Sequence, residues 1–184
     1  NRCRRQRQMC IRDSNYTFDL EAKLTSILAL RSQMGSDAFT AGHLGTEREG
    51  HGVLISDNGL VLTIGYLITE ADTIWLVDAT GVATPAHTVG YDQETGFGLV
   101  QALGKLTVPH LALGESSALR VGDPIIIGGS GGIRKSVAAS VVSKREFAGY
   151  WEYVLDEGIF TAPAHPFWGG SGAIDRAGNL VGIT

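Results

Sequence analysis

Cysteine is scarce in this chain, and both examples, Cys3 and Cys10, fall within the first ten residues. The body of the sequence therefore offers no disulfide framework and no cysteine-ligated zinc site. Proline is sparse as well, with 5 residues against 25 glycines, a ratio that suits many tight turns between short strands. Long apolar runs are missing. The longest candidates are LTSILAL from Leu24 and LVLTIGYLI from Leu60, well short of the ~20 residues that a membrane-spanning helix needs, so no membrane span is expected. Charged residues make up 18% and hydrophobic ones 43%, which is ordinary for a globular domain, and 184 residues suffice to bury a substantial core.

Basic charge is unevenly placed. Five of the fifteen Lys and Arg residues lie in the stretch Asn1 to Ser14, which shows no apolar periodicity. Gln8 to Ser14 (QMCIRDS) resembles the translation of a sequencing-library transposon end, so residues 1–14 are set apart from the fold as a sequencing artefact. The other reading is a natural basic arm for nucleic acid or anionic lipid, although the stretch has no interleaved aromatics. Without it the remainder is acidic, with ten basic and eighteen acidic residues and a net charge of −8. Such a surface repels phosphate backbones and argues against nucleic acid as the main partner.

Hydrophobic spacing divides the rest. Leu20, Leu24, Ile27 and Leu28 recur at helical intervals after Asp19, a suitable N-cap, and predict an amphipathic helix running to about Met34. From Asp37 onward short apolar runs alternate with turn residues. Gly52 to Ser56 and Leu60 to Ile64 flank Asp57-Asn58-Gly59, a strong hairpin signal. Further strands are predicted at Thr73 to Asp78, from Gly98, from Pro124, from Val137, from Gly149 and at Leu180 to Ile183. Pro109 to Pro124 is a longer irregular stretch that could divide two halves. Spacing alone leads to an all-β barrel or sandwich.

Four segments, in order, resemble the protease domain of the HtrA/DegP-type serine proteases, which are trypsin-like and of chymotrypsin fold. They are EGHGVLISDNGLVLTIGYLI (Glu49 to Ile68), VGYDQETGFGLVQ (Val89 to Gln101), LALGESSALRVGDPIIIGG (Leu111 to Gly129) and HPFWGGSGAIDRAGNLVGI (His165 to Ile183). The resemblance implies two antiparallel β-barrels preceded by one N-terminal helix, the first over about 36–108 and the second over about 120–184. It also implies that the record stops short of the family's last barrel strands, and that the protein is bacterial and periplasmic or extracellular if it follows the family.

Matched to the family motifs, Tyr66 stands at the histidine base, Gly96 at the orienting aspartate and, in a gapless match, Gly169 at the nucleophile. The same match puts Phe167 and Gly169 at the oxyanion-hole positions and Trp168 beside the former nucleophile, where it would close the cleft or line an apolar pocket. A phenol with a pKa of ~10 cannot act as a base at neutral pH, and a serine without a base is a poor nucleophile. The resemblance then implies a pseudoprotease, a catalytically inactive homologue that binds an extended peptide or protein segment by strand addition. The alternative is an active serine endopeptidase, in which a hairpin two residues shorter makes Ser171 the nucleophile with an unrecognised base. Of the five histidines, His43, His51, His87, His110 and His165, only His165 lies near Ser171 in sequence; as the alternative it is a loop residue.

Two other features have plainer explanations. Gly128 to Gly132 faintly suggests a phosphate-cradling loop but lacks the following helix, so it reads as an inter-strand loop. Tyr150, Trp151 and Tyr153 alternate along one strand, which suits packing. No cofactor and no metal is expected.

Overall fold

The computed structural model describes residues 16–149, 154–166 and 168–184. The leader at 1–14, the aromatic run at 150–153 and Phe167 lie outside the described residues.

The expected helix to Met34 is overturned. Helix α1 covers only Leu20–Leu24, capped by the Asp19 carboxylate, which accepts from the Ala22 N–H at 2.9 Å. Ile27–Met34 is strand β1. Its side chains alternate: Leu28, Leu30, Ser32 and Met34 are buried, while Arg31 and Gln33 are exposed. That alternation has period 2, the mark of a strand with one face in a core. The helical spacing of Leu20, Leu24, Ile27 and Leu28 spans two elements that meet at Thr25 and Ser26, so one apparent stripe is two shorter patterns joined.

Six strands close the barrel: β1, β2 (Glu47–Leu54), β3 (Leu60–Ile64), β4 (Ala71–Val77), β5 (Ala83–Tyr91) and β6 (Phe97–Ala102). Their order round the barrel is β1-β2-β3-β6-β5-β4, with β4 pairing back to β1 through Leu30↔Leu76 and its neighbours. The Asn58-Gly59 hairpin forms where expected, with Gly59 at φ 86° and the Ile55 N–H donating to the Leu60 carbonyl at 2.9 Å. Inside lie Leu28, Leu30, Leu54, Val61, Leu67, Ile74, Leu76 and Val100, all buried. Each such aliphatic side chain contributes about 1.5–3 kcal/mol through removal from water.

The second half does not close, which corrects the expectation of two barrels. Strands β7 (Pro124–Gly128), β8 (Ser136–Ala148), β9 (Val154–Ala162), β10 (Gly172–Ile174) and β11 (Leu180–Ile183) form a curled sheet in the order β11-β10-β7-β8-β9. Closure would require hydrogen bonds between the edges β9 and β11, and among the described residues these strands do not pair. Short helix α2 (Ala41–Leu44) lies between β1 and β2. Among the described residues no helix is long and apolar enough to cross a membrane.

The two sheets share a second core. Leu20, Leu24 and Ile27 pack with Val53 of the barrel and with Leu111, Ile126, Ile174 and Leu180. The irregular stretch after Pro109 crosses at this joint, where the Leu111 N–H donates to the Leu54 carbonyl at 2.9 Å and the Ser26 hydroxyl to the Pro109 carbonyl at 2.6 Å.

Candidate functional site at the junction of the two sheets

A single-turn 3-10 segment, Gly65–Leu67, follows β3 and carries Tyr66 toward the junction. Three contacts fix that turn. The Gly65 N–H donates to the Gly96 carbonyl at 2.8 Å, the Thr69 hydroxyl to the Gly65 carbonyl at 2.9 Å, and the Ser32 hydroxyl to the Leu67 carbonyl. From β2, the Arg48 guanidinium is 4% exposed and donates to the carbonyls of Tyr66, Thr69 and Gly45 and to the Thr40 hydroxyl. Burial lowers the Arg48 pKa, and the Glu70 carboxylate opposes that shift. Glu70 accepts from the Thr40 hydroxyl and from the N–H groups of Thr40 and Phe39, which hold its own pKa below the usual carboxylate value.

Tyr66, Gly96 and Gly169 come together. Gly65, next to Tyr66 in the chain, is bonded to Gly96, and a Cβ added at Gly169 would lie 2.7 Å from the Tyr66 phenolic oxygen. Gly169 and Gly170 have φ of 97° and 83°, a left-handed pair that only glycine adopts readily. This pair lets the chain run tight against β2: the His51 N–H donates to the Gly169 carbonyl at 2.9 Å, and any side chain at Gly170 would collide with the His51 carbonyl oxygen.

Ser171 directly follows this pair. It is 0% exposed, immediately ahead of β10, and its carbonyl accepts the Thr184 N–H at 3.0 Å. β10 lies between β7 and β11, with Gly172 opposite both Gly128 and Ile183. His165 is also buried, and its Nε2 lies 2.9 Å from the Lys135 carbonyl. His43 and His87 are exposed, and the His110 Nδ1 pairs with the Asp57 carboxylate at 2.7 Å. Trp168 is 70% exposed and so does not fill a buried cleft. The glycine run ends β7, and a 3-10 turn at Gly132–Lys135 leads into β8, making it an inter-strand loop. Sequence reasoning did not single out Arg48, which lies between Glu47 and Glu49 and reads as one more surface charge, and it set His51 aside with the other histidines.

Between the mouth of the closed barrel and the concave face of the open sheet lies a trough of about 410 Å³. Ile64, Thr95, Gly96 and Phe97 form its barrel side, and Ile125, Ile127, Phe147, Leu155, Phe160 and Ile183 line the sheet side. The Phe160 ring meets Phe147 edge-on at 5.9 Å and carries the Arg145 guanidinium 4.6 Å above it. No group of three or more His, Cys, Asp or Glu side chains that could hold a metal occurs among the described residues.

Comparison with known proteins places this geometry. The chain is 25% identical over 145 residues to the serine protease HTRA1 of Xenopus laevis, across 73% of this chain and 30% of that protein. A probable periplasmic serine endoprotease, DegP-like, of Chlamydia pneumoniae is 24% identical over 140 residues, across 73% and 28% respectively. The chain thus spans under a third of the length of these relatives. Among solved structures, the HtrA-type protease AlgW with tripeptide superposes with a TM-score of 0.68 at 23% identity, over 89% of this chain and 53% of that one. The same protease with decapeptide gives 0.66 at 20% identity, over 89% and 57%. At those identities the likeness is one of fold. The family model described as the trypsin-like peptidase domain matches residues 50–183, well over half of the sequence, and the chain belongs to that family.

Proposed function

We propose that this domain is a trypsin-like protease homologue that has lost peptide hydrolysis and keeps peptide binding, with Tyr66, Gly96 and Gly169 standing where a base, an orienting carboxylate and a nucleophile would be needed. The observation that carries this reading is the approach of the Tyr66 phenol to Gly169, with Gly96 hydrogen-bonded beside it. A hydrolytic triad at that place would need imidazole against hydroxymethyl, and phenol against hydrogen transfers no proton from a nucleophile. The trough supplies the retained activity. It is apolar, about the size of a ligand pocket, and bounded by β9 and β11, edge strands that lack a partner on one side among the described residues, which suits an extended segment adding as a strand. Relatives whose names specify bound tripeptide and decapeptide support the same class of partner. The description of DegP-like relatives as periplasmic supports a non-cytoplasmic location.

A second reading is an active serine endopeptidase using Ser171. The names of the matched relatives, all proteases, favour it. Its difficulty is access, because Ser171 is 0% exposed. Treatment with a fluorophosphonate probe separates the two. The first reading expects no labelling and no casein hydrolysis, together with saturable binding of an apolar extended peptide that weakens at least several-fold in Phe160→Ala. Labelling that disappears in Ser171→Ala establishes the second and removes the first.

A further inference from the structure

The closed barrel and the open sheet meet at a pair of histidines that the proposed peptide site does not use. His51, on β2, is 9% exposed, and its Nδ1 is enclosed without a hydrogen-bond partner. His165, in the connection between β9 and β10, is 7% exposed. Both rings abut the same backbone: a Cβ on Gly129 would lie 2.9 Å from the His51 Nε2 and 3.3 Å from the His165 Cε1. Three segments therefore converge on two imidazoles, and one of these residues also grips the Gly169–Gly170 turn through its main chain.

We propose that His51 and His165 form an acid-sensitive latch, which holds the Gly169–Gly170 turn against the closed barrel while His51 is neutral and releases it when His51 takes up a proton. A buried imidazolium with no acceptor for its Nδ1–H is costly, and relief comes from opening the joint to water. Burial, with the His165 charge adding to it, lowers the His51 pKa from 6.5 to about 4.

Among the described residues no carboxylate offsets the shift at His51. On β2 itself, Glu49 pairs with Arg31 at 3.2 Å, and Arg48 is tied to the carbonyls of the Tyr66 turn. Opposite His51 on β1 stands Ala29, and the Thr63 hydroxyl of β3 donates to the His51 carbonyl at 2.7 Å. From the β7–β8 loop Lys135 contributes its carbonyl to His165, and both Arg134 and Lys135 are exposed cations.

The sign follows from linkage. The folded pKa lies below the unfolded one, so the latch is intact above 6.5 and weakens as pH falls toward about 4. Between pH 7.5 and 4.5 that difference shifts the opening equilibrium by roughly tens of fold.

Amide exchange, corrected for the intrinsic pH dependence of exchange, tests the proposal on the whole chain. The reporters are the N–H groups of His51, Gly129 and Gly170, which donate to the carbonyls of Gly169, Lys135 and Thr184, with Leu54 and Ala102 as controls in the closed barrel. The expected result is tens-fold more opening at pH 4.5 than at 7.5 for the three reporters and less than threefold for the controls. In His51→Gln the pH dependence of the reporters falls below threefold. Equal opening at both pH values in the wild type, or full pH dependence in His51→Gln, overturns the latch. Should that variant not fold, NMR titration of the His51 ring in the wild type decides: titration at 6.5 in the folded state overturns the proposal, and titration well below it supports it. Peptide binding at pH 7.5 is a separate readout, so loss of one leaves the other standing.

Discussion

The closed barrel and the open sheet are built from the same kind of short strand, yet they solve the edge problem differently. In the barrel each strand has a partner on both sides, because β4 returns to β1, and the apolar face of all six is turned inward. In the open sheet β9 and β11 each lack a partner on one side among the described residues, and Ile125, Ile127 and Phe160 face a trough. Closure gives stability and consumes the surface; an open edge costs stability and leaves backbone donors and acceptors available to another strand. On the proposed reading, the barrel carries structural duty and the sheet binding duty.

Substitution of core residues gives the largest expected contrast. Leu30→Ala, at a fully buried site, is expected to lower stability by about 2–5 kcal/mol in urea unfolding. Phe160→Ala, in the half-buried trough, is expected to cost about half of that or less while reducing peptide binding. Equal costs at the two sites would erase the division of labour.

The hairpin glycines sharpen the comparison at smaller scale. Gly59 in the barrel and Gly178 in the open sheet have φ of 86° and 82°, so alanine at either is strained by about 1–2 kcal/mol. A Cβ at Gly178 would also meet the Phe18 ring at 3.0–3.1 Å, whereas at Gly59 the nearest atom is the flexible amide of Gln101 at 3.1 Å. Gly178→Ala is therefore expected to lower Tm more than Gly59→Ala, and the reverse order would show that Phe18 yields freely.

Ion pairs give the smallest effect. Arg31 and Glu49 on the barrel are both well exposed, and Arg31→Ala should change stability by less than about 0.5 kcal/mol. Lys144 on the open sheet is 13% exposed and donates to the carbonyls of Ser116, Ser117 and Leu119 as well as pairing with Glu157 at 2.6 Å. Its alanine variant should cost roughly 1 kcal/mol, visible as a Tm shift of a few degrees. A null effect would mean that this ammonium does not tie the Ser116–Ala118 turn to the sheet.

Much of this was legible in advance, for identifiable reasons. The Asn58-Gly59 hairpin was, because local dihedral preference alone dictates it. Strands β3, β4, β6, β7 and β11 were, because each is an apolar run between turn residues. Strand β1 was not, because Leu24 and Leu28 happen to lie four apart and mimic a helix face across the break at Thr25 and Ser26. Strand β5, Ala83–Tyr91, carries mostly exposed residues, so it offered no apolar run to read. Tyr66, Gly96 and Gly169 could be named by motif, but their approach to one another could not be obtained from spacing, since 72 residues lie between the last two.

By itself the sequence determined the local pieces: turn chemistry at Asn58-Gly59, the acidic balance and the shortage of cysteine. Tertiary structure alone decided which strands close on one another, which serine is enclosed, and that His51 and His165 share one glycine. Those outcomes depend on pairings between residues far apart in the chain, and no local preference encodes the free energy of a long-range contact.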